Sequence, residues 1–241
     1  MSSKVDKVEL SAAEPNTVTL LTAVDVLTGL GLCVVVPKKG RCAYAKAELL
    51  KFLRASGRTF GILQCDAEPS LKTLCGSVCD GLSGLTLRTT PVSWKQAHGS
   101  VGNLQAQLYG QIRCLKIQVE RDFQVKVTVD MPLFAWIVKH AMSLFNNFAV
   151  HADGRTSVQR RWNKKCFAAL CVFGEAVNFR LPLQRNKADP AWTLGMWLGK
   201  DFESNEQIVY DPATLSVRKC RSLRRLSPSQ QFQKSLLNFK S

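Results

Sequence analysis

Nowhere in the 241 residues do 18 apolar residues run without interruption, and the amino terminus lacks the apolar core of a signal peptide. A helix that crosses a bilayer needs roughly 20 such residues, so no membrane span and no secretion signal is expected. Metal-ligand spacing is missing as well. The three His stand apart at 98, 140 and 151, and the one close pair, Cys75 and Cys79, has no second pair and no His beside it. That argues against structural zinc. Nine Cys are an odd number, and most sit inside apolar runs. They read as buried free thiols in a reducing, intracellular setting rather than as a disulfide framework. No internal repeat is present.

Acid is scarce. Against 33 Lys and Arg there are 18 Asp and Glu, a formal charge of +15. Such an excess points to polyanions, nucleic acid ahead of an anionic membrane. With 46% hydrophobic and 21% charged residues, the chain can bury a core and is not disordered throughout. Its length suits one large domain, or a domain with a small annex.

The chain is organised around Phe60-Gly61-Ile62-Leu63-Gln64-Cys65-Asp66, an apolar run that ends in a carboxylate just before a helix-like stretch. A central strand of an α/β sheet delivers an acid to its C-terminal edge in this way, and ligands bind there. Before it, residues 4–10 alternate loosely as a short strand carrying Asp6. Val18 to Val24 and Leu30 to Val36 read as a hairpin turning through Asp25 to Gly29, closed by the basic loop Pro37 to Arg41. Helical spacing follows from Ala43 to Ala55, ended by Ser56-Gly57. After Asp66 comes a helix from about Glu68 to Val78, with Pro69 in its first turn. Leu85 to Arg88 is a short strand.

Thr89 to Asn103 reads as a long loop, and such loops are often functional. Leu104, Leu108, Ile112, Leu115 and Val119 then form a helical stripe. Phe123 to Val129 alternates like a strand, and Pro132 opens a helix that runs to Phe148. Beyond Gly154 the elements are shorter: Ala169 to Phe179, Thr193 to Leu198, Gln207 to Tyr210 and Leu215 to Val217. Gly154 to Lys187 holds eight Lys or Arg and one acid, and Pro212 to Ser241 holds seven and none. The division expected is therefore a core domain over 1–152 and a small basic β-rich region over 153–241.

This order describes a ribonuclease-H-like α/β fold: a mixed five-stranded sheet flanked by helices, its first strand beside its fourth, with a β-rich annex after it. At this point the chain resembles a retroelement integrase core of the copia/retroviral kind. Leu21 to Gly29 resembles that family's second-strand hairpin, and Ile62-Leu63-Gln64-Cys65-Asp66 its strand with the second catalytic Asp. Thr90-Pro91 through Gln96-Ala97-His98-Gly99-Ser100-Val101 resembles the stretch before its catalytic helix. Gly154-Arg155-Thr156-Ser157, Phe173-Gly174 and Trp197-Leu198-Gly199 resemble the downstream copia-type region. The likeness runs over most of residues 4–226. The family's N-terminal zinc-binding module is absent from this sequence, which leaves Met1 readable as a truncated start with a polyprotein upstream.

The resemblance implies two Asp and one Glu holding two Mg²⁺ or Mn²⁺ ions for in-line attack on a phosphodiester. Asp66 takes the second position. The first falls to Asp6 on the opening strand, with Asp25, at a turn, as the other choice. The Glu is missing: with 35 residues between, the position after Asp66 is Gly102. Asn103 and Gln105 offer only neutral oxygens, and Glu68 could substitute only by turning inward. The implied protein is an integrase-derived domain with weak or lost strand transfer. Its competitors are a non-catalytic nucleic-acid-binding remnant and, last, a ribonuclease-H-like exonuclease, whose Asp-x-Glu is lacking here.

Phosphate neutralisation by Lys and Arg needs no triad. The candidates are Lys38, Lys39 and Arg41; Lys95, Gln96 and His98 in the long loop; and Arg155, Arg160, Arg161, Lys164 and Lys165. Trp94 and Trp162 stand among them as stacking groups. The partner expected is DNA, with self-association into a homo-oligomer and no membrane.

Overall fold

The structure is a computed structural model that describes residues 2–9, 17–90, 99–165, 171–180, 190–201 and 204–237, with 2–9 described as backbone. The chain forms two compact units, each made of two stretches. One comprises Met1–Gln111 and Ala141–Lys165, the other Ile112–His140 and Cys166–Ser241.

The first unit is built on five strands: β1 (Ser2–Glu9), β2 (Thr17–Val24), β3 (Gly31–Val36), β4 (Phe60–Cys65) and β5 (Gly84–Thr89). Their order is β3-β2-β1-β4-β5. The β1–β2 and β2–β3 pairs are antiparallel, and β1–β4 and β4–β5 are parallel. This is the mixed, ribonuclease-H-like sheet that the order of elements implied. The hairpin closes as expected: Asp25 donates its N–H to the Leu30 carbonyl at 2.8 Å, and Gly29 donates to the Asp25 carbonyl at 2.8 Å. Gly29 has φ +74°, a conformation that a Cβ would strain.

Helices α1 (Ala43–Ala55) and α2 (Pro69–Cys79) supply the crossovers that parallel strands require. Their apolar stripes, with Leu49, Leu53, Leu71 and Leu74, pack with Leu21, Val34 and Leu63 of the strands into one core. Each fully buried Leu contributes about 1.5–3 kcal/mol. Over the other face of β3, the Asn146 side chain brackets Gly31, accepting from its N–H and donating to its carbonyl, both at 2.8 Å.

Two expectations fail at helix ends. Helix α3 runs Gly99–Phe123, so the five residues from Gly99 to Asn103, expected as loop, are helical. Buried Val101 extends the stripe of Leu104 and Leu108 by a turn, while Gly99 and Gly102 lower the propensity that would have shown it. Phe123 to Val129 is no strand. Gln124 turns to φ 49°, and Glu120 takes the next N–H groups, its carboxylate accepting from Val127 at 2.9 Å. Val127 and Val129 are buried, with no ladder partner among the described residues. Helix α4 spans Pro132–Phe148 as expected. The division between units falls within α3 and α4.

A short helix, α5 (Ser157–Trp162), was not anticipated. The Thr156 hydroxyl accepts from the Gln159 N–H at 3.2 Å and the Gln159 side chain accepts from the Thr156 N–H at 2.8 Å. This reciprocal box satisfies two N–H groups that a helix start otherwise leaves open.

The second unit carries a five-stranded antiparallel sheet: β6 (Ala176–Arg180), β7 (Thr193–Asp201), β8 (Glu206–Asp211), β9 (Ser216–Cys220) and β10 (Ser222–Arg225). Its order is β10-β6-β7-β8-β9. Arg221 alone joins β9 to β10, although they are the two outer strands, so the sheet must curl until its edges approach. Val177, Phe179, Trp197, Val209 and Cys220 fill it. Glu175, fully buried, is held by Arg225 through bonds of 2.7 and 2.8 Å. The β-rich annex is thus present, with one strand, β10, that the sequence reading lacked. Among the described residues no helix is long and apolar enough to cross a membrane, and the eight described cysteines are free thiols.

Candidate functional site

Asp66 follows the last residue of β4 and lies half-buried, its carboxylate accepting from the Ala67 N–H at 2.7 Å. The neighbouring backbone is pinned. Thr90 donates its N–H to the Cys65 carbonyl at 3.0 Å, and Gln64 donates to the Thr90 hydroxyl at 3.0 Å. Arg88, level with Gln64 on β5, donates to the Gln64 side-chain oxygen. Sequence alone carried no sign of this Arg88–Gln64–Thr90 arrangement, because it depends on the β4–β5 register.

β1 lies directly beside β4, with Ser3 level with Cys65. Asp6 is three residues beyond Ser3 and pairs in register with Leu20 of β2. Asp66 is one residue beyond Cys65. Asp6 is therefore offset from it by two residues, about 6.6 Å along the strands, and by one strand spacing of about 4.8 Å. The Asp6 side chain lies outside the described residues.

The alternative first acid, Asp25, stands at the β2–β3 turn, two strands from β4, and is engaged. Arg58 donates to both of its oxygens at 3.1 and 3.0 Å, and the Thr28 hydroxyl donates at 2.6 Å. Burial pulls its pKa up, but the Arg58 and Thr28 bonds outweigh burial and hold the carboxyl below its ordinary value. The carboxylate is a structural anion for Arg58. Glu68, the proposed substitute, stands at the N-cap position of α2 but makes no side-chain cap bond. It pairs with Lys39 at 2.8 Å and accepts from the Ser70 hydroxyl at 2.7 Å.

Gly102 lies exposed near the start of α3, and a Cβ built there would meet no atom of the other described residues within 4 Å beyond its own helix backbone. Its neighbours do not replace a carboxylate. Asn103 accepts from the Gln107 side chain at 3.1 Å, and Gln105 is buried. Among the described residues no three His, Cys, Asp or Glu groups come together as a metal site. Two ions need at least three carboxylates when DNA supplies the remaining ligands. The described donors at this edge do not by themselves make a two-ion centre.

The basic candidates divide. Lys38, Lys39 and Arg41 are exposed on the loop after β3. Gly40, at φ +88°, lets that loop lie against Ser70, whose Cβ would be 3.3 Å from a Cβ at Gly40. With the Lys39–Glu68 pair, this holds the loop at the edge where Asp66 sits. Lys95, Gln96, His98 and Trp94 lie outside the described residues.

Arg155, Arg160, Arg161, Lys164 and Lys165 belong elsewhere. α5 meets the turns at the start of the sheet: Arg161 lies against Gly57, and a Cβ at Gly29 would be 3.3 Å from the Ser157 hydroxyl. α5 thus touches both the β2–β3 turn and the turn before β4; in register, Gly31 and Val24 lie level with Ser2, and Ser2 with Gln64. Two of the five cations also work internally. Arg155 donates to the Gln159 carbonyl and the Asn163 side chain, both at 2.9 Å, and Arg160 pairs with Asp153 at 2.9 Å. The Arg161 guanidinium lies 5.7 Å from the Trp162 ring centre, and half-buried Trp162 packs on the core. Lys164 and Lys165 are exposed. Nearby, His151 shares a 2.8 Å hydrogen bond with Ser157, but Ser157 is wholly buried and cannot act as a nucleophile.

No protein-family model matches the sequence, and no curated protein matches it. Solved structures do. The simian T-cell lymphotropic virus intasome in complex with PP2A regulatory subunit B56 gamma contains a chain 14% identical, with 94% of this chain and 78% of that one covered and a TM-score of 0.52. The HTLV-2 integrase catalytic core domain in complex with magnesium, in a trimeric form, is 15% identical, covering 66% of this chain and 93% of that one at a TM-score of 0.50. The likeness is one of fold: the chain has the integrase-type, ribonuclease-H-like core architecture.

Proposed function

We propose that the chain is a DNA-binding protein derived from a copia-type retrotransposon integrase, with metal-dependent polynucleotidyl transfer that is weak or lost. The observation that carries this reading is Gly102. It stands on an exposed turn of α3 with open space around it, where the fold's chemistry calls for a third carboxylate. Asp6 and Asp66 remain, placed on adjacent strands, and Mg²⁺ or Mn²⁺ would be held weakly by so few donors. The partner is DNA, engaged through phosphate contacts, and the chain self-associates.

Two ion pairs favour the non-catalytic form of this reading. Arg58 pairs with Asp25, and Lys39 with Glu68, the two acids offered as stand-ins for the missing ones. The test is joining of a DNA 3′ end to a target duplex with Mg²⁺ or Mn²⁺. The chain should stay at background, and Gly102→Glu should raise the rate while Asp66→Asn cancels the gain. Robust joining by the unaltered chain that survives Glu68→Ala would overturn the reading. DNA binding that is unchanged between low and high salt would remove its phosphate-contact part.

A further inference from the structure

We infer that Ser227 is a phosphorylation site for a proline-directed protein kinase, and that its phosphate is clasped by Arg225, fixing the corner where the chain leaves β10. The inference does not depend on DNA as partner. Of the nine Pro in the sequence, two follow a hydroxyl residue, in Thr90-Pro91 and Ser227-Pro228. Thr90 is buried. Ser227 and Pro228 are both exposed, and Ser227 is extended, with φ −60° and ψ 151°. The pair stands between β10 and a short 3₁₀ turn, Pro228–Gln230. Polar neighbours hold the Ser227 hydroxyl loosely: Ser229 at 3.3 Å and the Gln230 side chain at 3.2 Å.

The residue after the hydroxyl selects the kinase class. A binding pocket with no acceptor leaves the N–H of any other residue unpaired, and Pro has none to lose. A class that reads Arg two and three positions before the hydroxyl is disfavoured, although Arg224 and Arg225 stand there. Both are engaged in the fold. Arg224 lies 4.2 Å from the Trp192 ring centre, and Arg225 grips Glu175 at 2.7 and 2.8 Å. In the transfer, the Ser227 oxygen bonds to the γ-phosphorus of ATP and the bond from that phosphorus to the β–γ bridging oxygen breaks. ADP leaves, and the hydroxyl proton passes to the kinase's base.

Arg225 is the receptor for the phosphate. Wholly buried Glu175 takes two of its five N–H groups, while half of the Arg225 side chain stays exposed. Arg225 and Ser227 are exposed and Leu226 between them is half-buried. That alternation belongs to an extended chain and sets the two side chains on one side, about 6.6 Å apart along it. The remaining guanidinium N–H groups can then make charge-assisted bonds to the phosphate. The sequence from Pro212 to Ser241 holds no acid that would repel it. From this corner the chain folds back over the second unit. The Gln231 carbonyl accepts from the Ala176 N–H at 2.6 Å, Phe232 meets Phe123 edge-on at 5.6 Å, and Leu236 is buried. A phosphate tied to Arg225 anchors the start of that return.

The test treats the full chain with a purified proline-directed kinase, Mg²⁺ and ATP, and maps the product by mass spectrometry. Phosphate should appear at Ser227, be absent there in Ser227→Ala, and form about tenfold more slowly in Pro228→Ala. A phosphorus NMR titration then compares the phosphorylated chain, folded and unfolded in urea. Phosphoserine takes up its second proton near pH 6, and the Arg225 contact should move that midpoint lower in the folded chain. Amide exchange over 226–237 should slow on phosphorylation. The inference is overturned by phosphate at Ser227 in the unfolded chain alone, by an unchanged rate in Pro228→Ala, or by the same titration midpoint in both states.

Discussion

His140 shows how one buried side chain sets a pH limit. It is packed against Phe173 at 5.1 Å and edge-on to Trp197 at 5.3 Å, and its Nδ1 has no partner among the described residues. Burial pushes its pKa down to about 4. The unfolded chain takes up a proton near pH 6.5, which the folded chain refuses until about 4. Stability is therefore full above pH 6.5 and falls as the solution is acidified, by about 1.4 kcal/mol for each pH unit within the window. His140→Phe should flatten that acid limb, measured by urea unfolding at pH 7 and pH 5. An unchanged slope would show that His140 is not the group responsible. Gly102 offers the opposite kind of change. Its site in α3 is open, so Gly102→Ala should stabilise the chain by about 0.5–1 kcal/mol, read as a higher unfolding midpoint. The residue types were legible in sequence, Asp66 and Gly102 above all. The partners that silence Asp25 and Glu68 were not, because Arg58 and Lys39 reach them only through the folded backbone.

At the scale of elements, most of the first unit could be read directly. The hairpin, α1, β4 and α2 are each specified by local apolar periodicity and by Gly or Pro at their ends. The misreadings came where local pattern and context disagree. Phe123 to Val129 alternates, but the peptide groups after α3 are satisfied by Glu120 and no ladder forms. α5 was signalled by Thr156 and Gln159, a capping-box spacing lost in a segment conspicuous for its charge. Its dependence on that box is measurable. Thr156→Ala should cost about 1 kcal/mol and loosen the backbone of 157–162. Faster amide exchange confined to α5 and the adjoining turns would be the signature. Exchange unchanged there would mean that packing by Val158 and Trp162 holds the helix without its cap.

For the whole molecule, strand order decides which residues share an edge. A pair of adjacent strands can be guessed from spacing. Which ends of five strands lie together depends on their directions, and direction changes between β2 and β1 but not between β1 and β4. That single fact separates the basic candidates into two groups. The loop of Lys38 and Arg41 follows β3 and is tied by the Lys39–Glu68 pair to the start of α2, just after Asp66, while α5 packs on the β2–β3 turn and the turn before β4. The curled second sheet follows the same logic, since Arg221 can join β9 to β10 only if the outer strands meet.

By itself the sequence determined the alternation of elements, the acid at the end of β4, a glycine at 102 and an excess of positive charge. These are local or additive properties: periodicity, capping, composition and net charge do not depend on what lies across the core. Tertiary structure alone decided which acids are paired, Asp25 with Arg58 and Glu68 with Lys39, and which strand ends lie beside Asp66. Those are properties of register and strand direction, set by contacts between residues that are distant along the chain.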